Sequence, residues 1–390
     1  MTTGRGLVDE RRLIGLFLDL VRTDSESTEE RRICDVLART FRELGLDVEE
    51  DDIGARIGHS AGNLYAWLDA SPGLEDVPPI FFTCHMDTVK PGKGVRPRLD
   101  EDGYFRSDGT TILGSDDKAG IAALLEGVRT VLERGIPHGP VQFILTVGEE
   151  LGLKGSRLLD RRRVRGRFGY ALDSGGPVGE IVTAAPSQAK ITAVIRGKSA
   201  HAGVSPEEGI SAIQVASRAI ASMPLGRIDR ETTANIGSFQ GGTHAHTNIV
   251  CELVTITAEA RSLDPAKLER QVAAMRGAFE SAAGQFGAVV EFESEIMYPA
   301  YRISDGEPVV RLAAEAFREI GIEPRTVSSG GGSDANHFNG KGFPTVNLAV
   351  GYEHIHTTRE RMPVGELLKA AEAVAAIIRR AAARPDILRP

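Results

Sequence analysis

The chain has 390 residues, 41% of them hydrophobic, with 46 Lys plus Arg against 54 Asp plus Glu. That is enough apolar chain for a large core split between two domains, and the net charge of −8 argues against nucleic acid as a partner. No run of roughly 18 apolar residues appears and the start, Met1-Thr2-Thr3-Gly4-Arg5-Gly6, lacks the apolar stretch of a secretory signal, so no membrane partner is expected and the cytoplasm is the default location.

Two helices open the chain, over 11–20 and 28–45, the second entered through Ser27-Thr28-Glu29-Glu30 in the manner of a capped helix. Short apolar or alternating runs at Asn63–Leu68, Pro79–Thr83, Val141–Val147 and Phe168–Leu172 predict strands, with a helix over Gly120–Leu132 among them. Alternating strand and helix implies an α/β domain with a mostly parallel central sheet. From about Pro186 the pattern changes to strand 191–195, helix 210–223, strands 233–239 and 249–260, helix 268–286 and strand 289–295. That order is the ferredoxin-like split unit. After Tyr298 the α/β pattern resumes with helix 308–320, strand 345–350 and helix 364–382. The expected organisation is therefore a catalytic domain in two parts, 1–185 and 297–390, with a small α+β domain inserted at 186–296.

The chemistry gathers at the ends of the predicted strands. Glu149 and Glu150 close the apolar run Val141–Val147, while His85-Met86-Asp87, Asp116-Asp117-Lys118 and Asp173 lie at or near the ends of others. In such sheets ligands bind beyond the carboxyl ends of the strands. Carboxylates converging near a packed sheet are costly unless a cation neutralises them, so the chain reads as a metal-dependent hydrolase. Cys34, Cys84 and Cys251 are widely separated and never form Cys-x-x-Cys, so any metal must be held by His and carboxylate.

Each group has a plainer reading beside the functional one. His85 can bind metal while Asp87 holds the ring's other nitrogen, but a polar strand end would look the same. Asp116 could bridge two metal ions, or cap a helix. One of Glu149 and Glu150 can ligate while the other contacts a water as base. Asp173 alone would be an ordinary loop residue, and His356, in His354-Ile355-His356, offers one more nitrogen. The five arginines between Arg161 and Arg167 read as a solvated helix end, with no aromatic residues interleaved among them to support base stacking. His244 and His246 read as loop histidines of a Gly-rich turn, and Ser329–Asp334 as a loop presented to substrate backbone, since it lacks the lysine of a phosphate-binding loop.

Taken together, His85-Met86-Asp87-Thr88-Val89, Gly114-Ser115-Asp116-Asp117-Lys118-Ala119-Gly120, Glu149-Glu150, Asp173, Ser199-Ala200-His201-Ala202-Gly203 and the late His356 resemble, in order and spacing, the dinuclear zinc exopeptidases. That family includes peptidase T, peptidase V, glutamate carboxypeptidases and aminoacylase. Thr232–Gly237, Thr247–Cys251 and Ser329–Asn336 make the peptidase T-like members the nearest match. The resemblance implies two zinc ions, one held by His85, Asp116 and Asp173 and the other by Asp116, Glu150 and His356, with Glu149 as general base and Asp87 orienting His85. It also implies a cis peptide between Asp116 and Asp117, a neighbour's role for His354, and His201, Asn248 and Arg261 reaching from a lid-like inserted domain toward substrate. Cobalt or manganese would suit the same His and carboxylate set. Arg261 on its residues alone is equally an ordinary strand-surface ion pair. The expected activity is removal of the N-terminal residue from short peptides, with a homodimer through the inserted domain as the oligomer this allows. A carboxypeptidase or N-acyl amino acid amidase shares the ligands, and a non-catalytic relative stays open as a different class.

Overall fold

The computed structural model describes residues 7–243 and 245–388; His244 lies outside the described residues. The chain forms two compact units, one from the segments up to Ala184, Arg302–Ser328 and Ser333 onward, the other from Ala185–Tyr301 with Ser329–Gly332. The four residues Ser329–Gly332, which the sequence leaves with the α/β part, thus go with the inserted unit.

The larger unit is built on a sheet whose strands lie in the order Asp47–Glu50, Leu64–Leu68, Val141–Thr146, Ile80–His85, Gly169–Ser174, Thr345–Ala349, Glu180–Ala185, Tyr301–Arg302, with Arg325–Ser328 beside Glu180–Ala185. Ile80–His85 runs parallel to both Val141–Thr146 and Gly169–Ser174, and Thr345–Ala349 parallel to the latter. Every residue of Ile80–His85 and of Val141–Thr146 is buried, as expected of strands covered on both faces. Phe82 packs between Phe143 and Tyr170, at ring distances of 6.0 and 5.5 Å. Burying each such ring stabilises the fold by about 1.5–3 kcal/mol. Helix Ser115–Glu133 is buried almost throughout, between helices Glu10–Val21 and Val364–Ala383 and the sheet. Because the four central strands point the same way, their carboxyl ends emerge at one edge of the sheet.

Several elements carry no strong sequence signal. Asp47–Glu50 is a charged edge strand, and the pairs Arg98–Leu99 with Tyr104–Arg106 and Arg361–Pro363 make a small separate sheet. Helix Asp334–Gly340 lacks apolar periodicity and is held by a capping box between Ser333 and Asn336. The fold also corrects the reading of the arginine run. Tyr65 and Trp67, distant in sequence, come to lie under Arg163 and Arg165 at 5.5 and 4.9 Å, because Leu64–Leu68 neighbours the segment in space. Arg163 also pairs with Glu49 at 2.6 Å and Arg162 with Asp160 at 2.6 Å.

In the smaller unit, Thr232–Gly241, Leu253–Ser262, Ser187–Arg196 and Val289–Tyr298 lie side by side, all antiparallel, with Gly226–Arg227 at the edge. In chain order that is second, third, first, fourth, the ferredoxin-like arrangement. Ser187–Arg196 alternates buried and less buried side chains and packs its inner face, Ala189, Ile191, Ala193 and Ile195, with Val215, Met275 and Phe279 of helices Ala212–Ser222 and Pro265–Phe286. The third strand starts at Leu253 rather than Ile249, because Thr247–Val250 turns aside: Ala202 N donates to Asn248 O and Val250 N to Ala200 O, both at 2.9 Å. Among the described residues no helix is long and apolar enough to cross a membrane.

Candidate metal centre

His85 ends a buried strand and its ring is fixed from both sides. Nδ1 lies 2.9 Å from the Asp87 carbonyl oxygen, which can only accept, so that nitrogen carries a proton and Nε2 faces the opposite way. Nε2 stands 3.0 Å from Asp116 Oδ1 and 3.6 Å from Asp173 Oδ1. On the other side, His356 Nε2 lies 3.3 Å from Asp116 Oδ2 and 3.0 Å from Glu150 Oε2. One carboxylate, that of Asp116, therefore sits between the two imidazoles with an oxygen toward each. His356 reaches this place from a loop in which its own backbone has φ of 61°, a left-handed conformation that non-glycine residues seldom adopt.

Asp116 and Asp117 lie within the first turn of helix Ser115–Glu133 but have non-helical dihedrals, and the peptide between them is cis. Neither caps the helix, so the plainer reading of these residues fails. Asp117 turns back to accept the His85 amide through Oδ2 at 3.1 Å, while its Oδ1 is buried without a hydrogen-bond partner. A β-carbon at Gly120 would stand 2.2 Å from Asp117 Oδ1 and 2.3 Å from the Leu172 carbonyl, so only glycine lets this turn close against the neighbouring strand. Asp173 is clamped by Asn347, whose side chain accepts its amide at 2.9 Å and donates to its carbonyl at 2.6 Å, and Tyr352 donates to Asp173 Oδ1 at 2.9 Å.

Glu149 and Glu150 follow Gly148, which has φ of 63° and packs so closely on His59 that a β-carbon there would lie 2.6 Å from the ring. Asp87 holds the second ring nitrogen of His85, as expected, but through its carbonyl oxygen at 2.9 Å and not through its carboxylate. Its carboxylate oxygen is 3.7 Å from His85 Nδ1, and instead it accepts the amides of Glu149 and Glu150 at 2.9 and 3.2 Å and the Ser27 hydroxyl at 2.6 Å. Strand alternation places Asp87 on the same face as His85 but leaves open which donors its carboxylate takes.

The electrostatics are those of an anionic nest. Burial pushes the proton affinity of Asp117, Glu149 and Glu150 up, and that of Asp173 to about 7, with neighbouring carboxylates adding to it. Burial disfavours the charged form of His85, but its contacts with Asp116, Asp173 and Asp87 outweigh this and hold it well above the usual histidine range. His356 is pushed up to about 10 by Asp116 and Glu150. Two groups, His85 with Asp116 and Glu150, and His85 with Asp117 and Asp173, each bring ligand atoms within 4.8 Å of one another. The donor set of imidazole and carboxylate, the unpartnered Asp117 oxygen and the surplus of negative charge all fit divalent cations. Asp117, which the resemblance leaves out, belongs to the second group.

Two further residues escape sequence reasoning. Asp334, read as the last residue of a loop presented to substrate backbone, is 3% exposed and accepts the hydroxyls of Thr146 and Ser156, so its own side chain is turned inward. Glu360, between two arginines, is 2% exposed and also turned inward. The His354 ring is not among the converging groups; its carbonyl accepts the Thr357 hydroxyl at 2.7 Å. His246 lies in the exposed turn.

In the smaller unit, His201 is exposed, and its Nδ1 accepts the Gly203 amide at 3.2 Å, which leaves Nε2 as the protonated, donating nitrogen. The backbone bond between Ala202 and Asn248 sets His201 and Asn248 on adjacent loops. Arg261 lies at the other end of the sheet: it pairs with Gln188, whereas Leu253, next to those loops, pairs with Arg196. Eight steps along the strand lead from Leu253 to Arg261, about 26 Å. Arg261 gives Nε and Nη2 to Glu259 at 3.0 and 3.1 Å, and its Nη1 would stand 3.9 Å from a β-carbon at Gly331. The three expected substrate residues thus form two separate groups.

A family model described as peptidase family M20/M25/M40 matches residues 81–380. The chain is 56% identical over 376 residues to YqjE of Bacillus subtilis, covering 96% of this chain and 100% of that protein. A crystal structure of aminopeptidase PepT from Bacillus cereus is 56% identical, covers 97% of this chain and 100% of that one, and superposes with a TM-score of 0.88. That of a tripeptidase from Staphylococcus aureus is 46% identical with the same coverage and a TM-score of 0.93.

Proposed function

This chain belongs to peptidase family M20/M25/M40, and from that premise we propose that it is a cytoplasmic metal-dependent aminopeptidase removing the N-terminal residue of short peptides, tripeptides above all. The observation that carries the reading is the placing of both imidazole Nε2 atoms against the two oxygens of Asp116, at 3.0 and 3.3 Å. The names of the Bacillus cereus and Staphylococcus aureus relatives support the choice of aminopeptidase and of tripeptides.

In this reading His85, Asp116 and Asp173 hold one divalent ion and Asp116, Glu150 and His356 the other. Bound there, two ions, zinc in the first instance, would polarise the scissile carbonyl and acidify the attacking water. Glu149 takes one proton from that water as its oxygen joins the carbonyl carbon. It then passes the proton to the departing nitrogen as the C–N bond breaks, giving a free amino acid and a shortened peptide. A carboxylate whose burial raises its proton affinity suits both halves of this transfer. Asp87 keeps the Glu149–Glu150 turn in place through their amides. His201 donates Nε2–H to the oxyanion and Arg261 grips the substrate carboxylate.

An extended tripeptide spans only about 10 Å, so the two ends of one small unit, about 26 Å apart, do not both reach it. We therefore assign Arg261 and the His201–Asn248 pair to different copies of the chain in a homodimer formed through the inserted unit. The test of the metal chemistry is chelation. Dialysis against a chelator should abolish tripeptide hydrolysis, and added zinc, cobalt or manganese should restore it; undiminished hydrolysis by metal-free protein would refute the proposal.

A further inference from the structure

Glu360 stands within the sequence Arg359-Glu360-Arg361, where three charged residues in a row look like solvated surface. In the fold its carboxylate is 2% exposed and receives four donors. Oε2 accepts the amides of Leu113 and Gly114, both at 2.8 Å. Oε1 accepts the Ser115 hydroxyl at 2.6 Å and the Asp116 amide at 3.1 Å. The Ser115 hydroxyl and Asp116 amide belong to the first turn of helix Ser115–Glu133 and the other two amides to the residues leading into it, where Gly114, at the cap position, offers no side chain of its own. Glu360 caps the helix from a segment more than two hundred residues away. An ionised carboxylate is the group for this position, because all four partners donate and only an acceptor on every lone pair satisfies them.

The place of Glu360 along the chain gives the contact its meaning. It closes the loop that carries His356: the Glu353 and Arg361 backbones clasp each other at 2.9 and 3.0 Å, and the Glu360 amide donates to the Thr357 carbonyl at 3.1 Å. The loop bearing His356 and the turn bearing Asp116 are thus joined twice, directly at the imidazole and carboxylate, and again behind them through Glu360. Because His356 is half exposed and has a left-handed backbone, the loop needs an anchor other than its own packing.

We propose that Glu360 is a positioning residue for the metal centre, a buried carboxylate that fixes the distance between Asp116 and His356 so that one cation can be held by both. This rests on the reading of Asp116, Glu150 and His356 as ligands. Substituting Gln would keep the size but set N–H donors against N–H donors.

The experiment measures equilibrium metal content and the visible absorption of the cobalt-loaded full chain for wild type, Glu360→Gln and Glu126→Gln. Glu126 is a buried carboxylate on the same helix, paired with Arg12 at 2.7 Å and remote from the ligands, and reports the effect of damaging a buried carboxylate as such. Wild type should bind two equivalents; failure to bind metal would overturn the ligand reading itself. Glu360→Gln should bind one of the two about 10–100-fold more weakly and show an altered cobalt spectrum. Its kcat should fall while KM for a tripeptide holds. Glu126→Gln should melt earlier than wild type with wild-type affinity and spectrum. Two wild-type affinities and a wild-type spectrum in Glu360→Gln overturn the proposal, as does an equal loss of metal in Glu126→Gln. Should Glu360→Gln not fold, Ser115→Ala, which removes one of the four bonds, carries the test. A severalfold loss of affinity is then expected, and none overturns it.

Discussion

The carboxylate of Asp87 accepts the backbone amide of Glu149 at 2.9 Å, and with the Glu150 amide and Ser27 hydroxyl this uses both of its oxygens. The aspartate beside the candidate ligand His85 therefore sets the position of the candidate base. Asp87→Asn exchanges one acceptor oxygen for a donor facing an amide or a hydroxyl. The expected outcome is a fall in kcat of about 10–100-fold, with both metal ions retained, checked by steady-state kinetics beside metal analysis.

Glu149 and Glu150 are adjacent but face different tasks. His356 Nε2 contacts Glu150 at 3.0 Å, whereas the Glu149 carboxylate lies buried among other acids, Asp173, Glu150 and Asp334. Glu149→Ala should abolish turnover with two metal ions still bound. Glu150→Ala should lose one ion. Metal analysis of the two purified variants checks this, and the opposite pattern would mean that the roles are exchanged.

Gly120 tests the closeness of the ligand turn. With a β-carbon meeting Asp117 Oδ1 at 2.2 Å and the Leu172 carbonyl at 2.3 Å, Gly120→Ala forces the turn off the strand. A loss of stability of about 1–3 kcal/mol is expected for such overpacking, together with weaker metal binding. Thermal unfolding followed with and without added zinc would register both.

What the sequence discloses and what it hides divides along physical lines. His85, Asp87, Glu149 and Glu150 stand out because charge appears abruptly where an apolar run ends, a local signal. Two glycines, Gly120 and Gly148, permit close approaches that become visible only when the neighbouring Leu172 and His59 are in place. Glu360, Asn347, Tyr352 and Ser27 act through contacts with residues far along the chain, and each alone is an ordinary polar residue. The same limit applies to the aromatic rings under Arg163 and Arg165. Separation of Arg261 from His201 and Asn248 depends on strand register: a strand read as Ile249–Ala260 begins at Leu253, and only its pairing with Arg196 and Gln188 shows which end is which.

The substrate residues can be tested through that separation. Arg261→Ala should raise KM for free tripeptides much more than for their C-terminal amides, because only the former present a carboxylate for bidentate pairing. His201→Ala should instead lower kcat, by about 10²–10³ for a lost oxyanion donor. If the two groups serve one site from different copies, mixing and reassociating the two impaired variants should raise tripeptide turnover above that of either alone, since a mixed dimer contains one site with both residues intact. No recovery in a proven mixed dimer would return both groups to the same copy.

The central claim is that this peptidase cleaves at the amino end of short peptides, and identifying the products from a single tripeptide of three different residues tests it most directly. Metal-loaded protein given such a tripeptide, the corresponding dipeptides and N-acyl amino acids should release the first residue and the dipeptide of the last two from the tripeptide, with the other substrates turned over more slowly. Release of the last residue instead would make the chain a carboxypeptidase. Preferential hydrolysis of the N-acyl amino acids would make it an amidase, and either result would contradict the account.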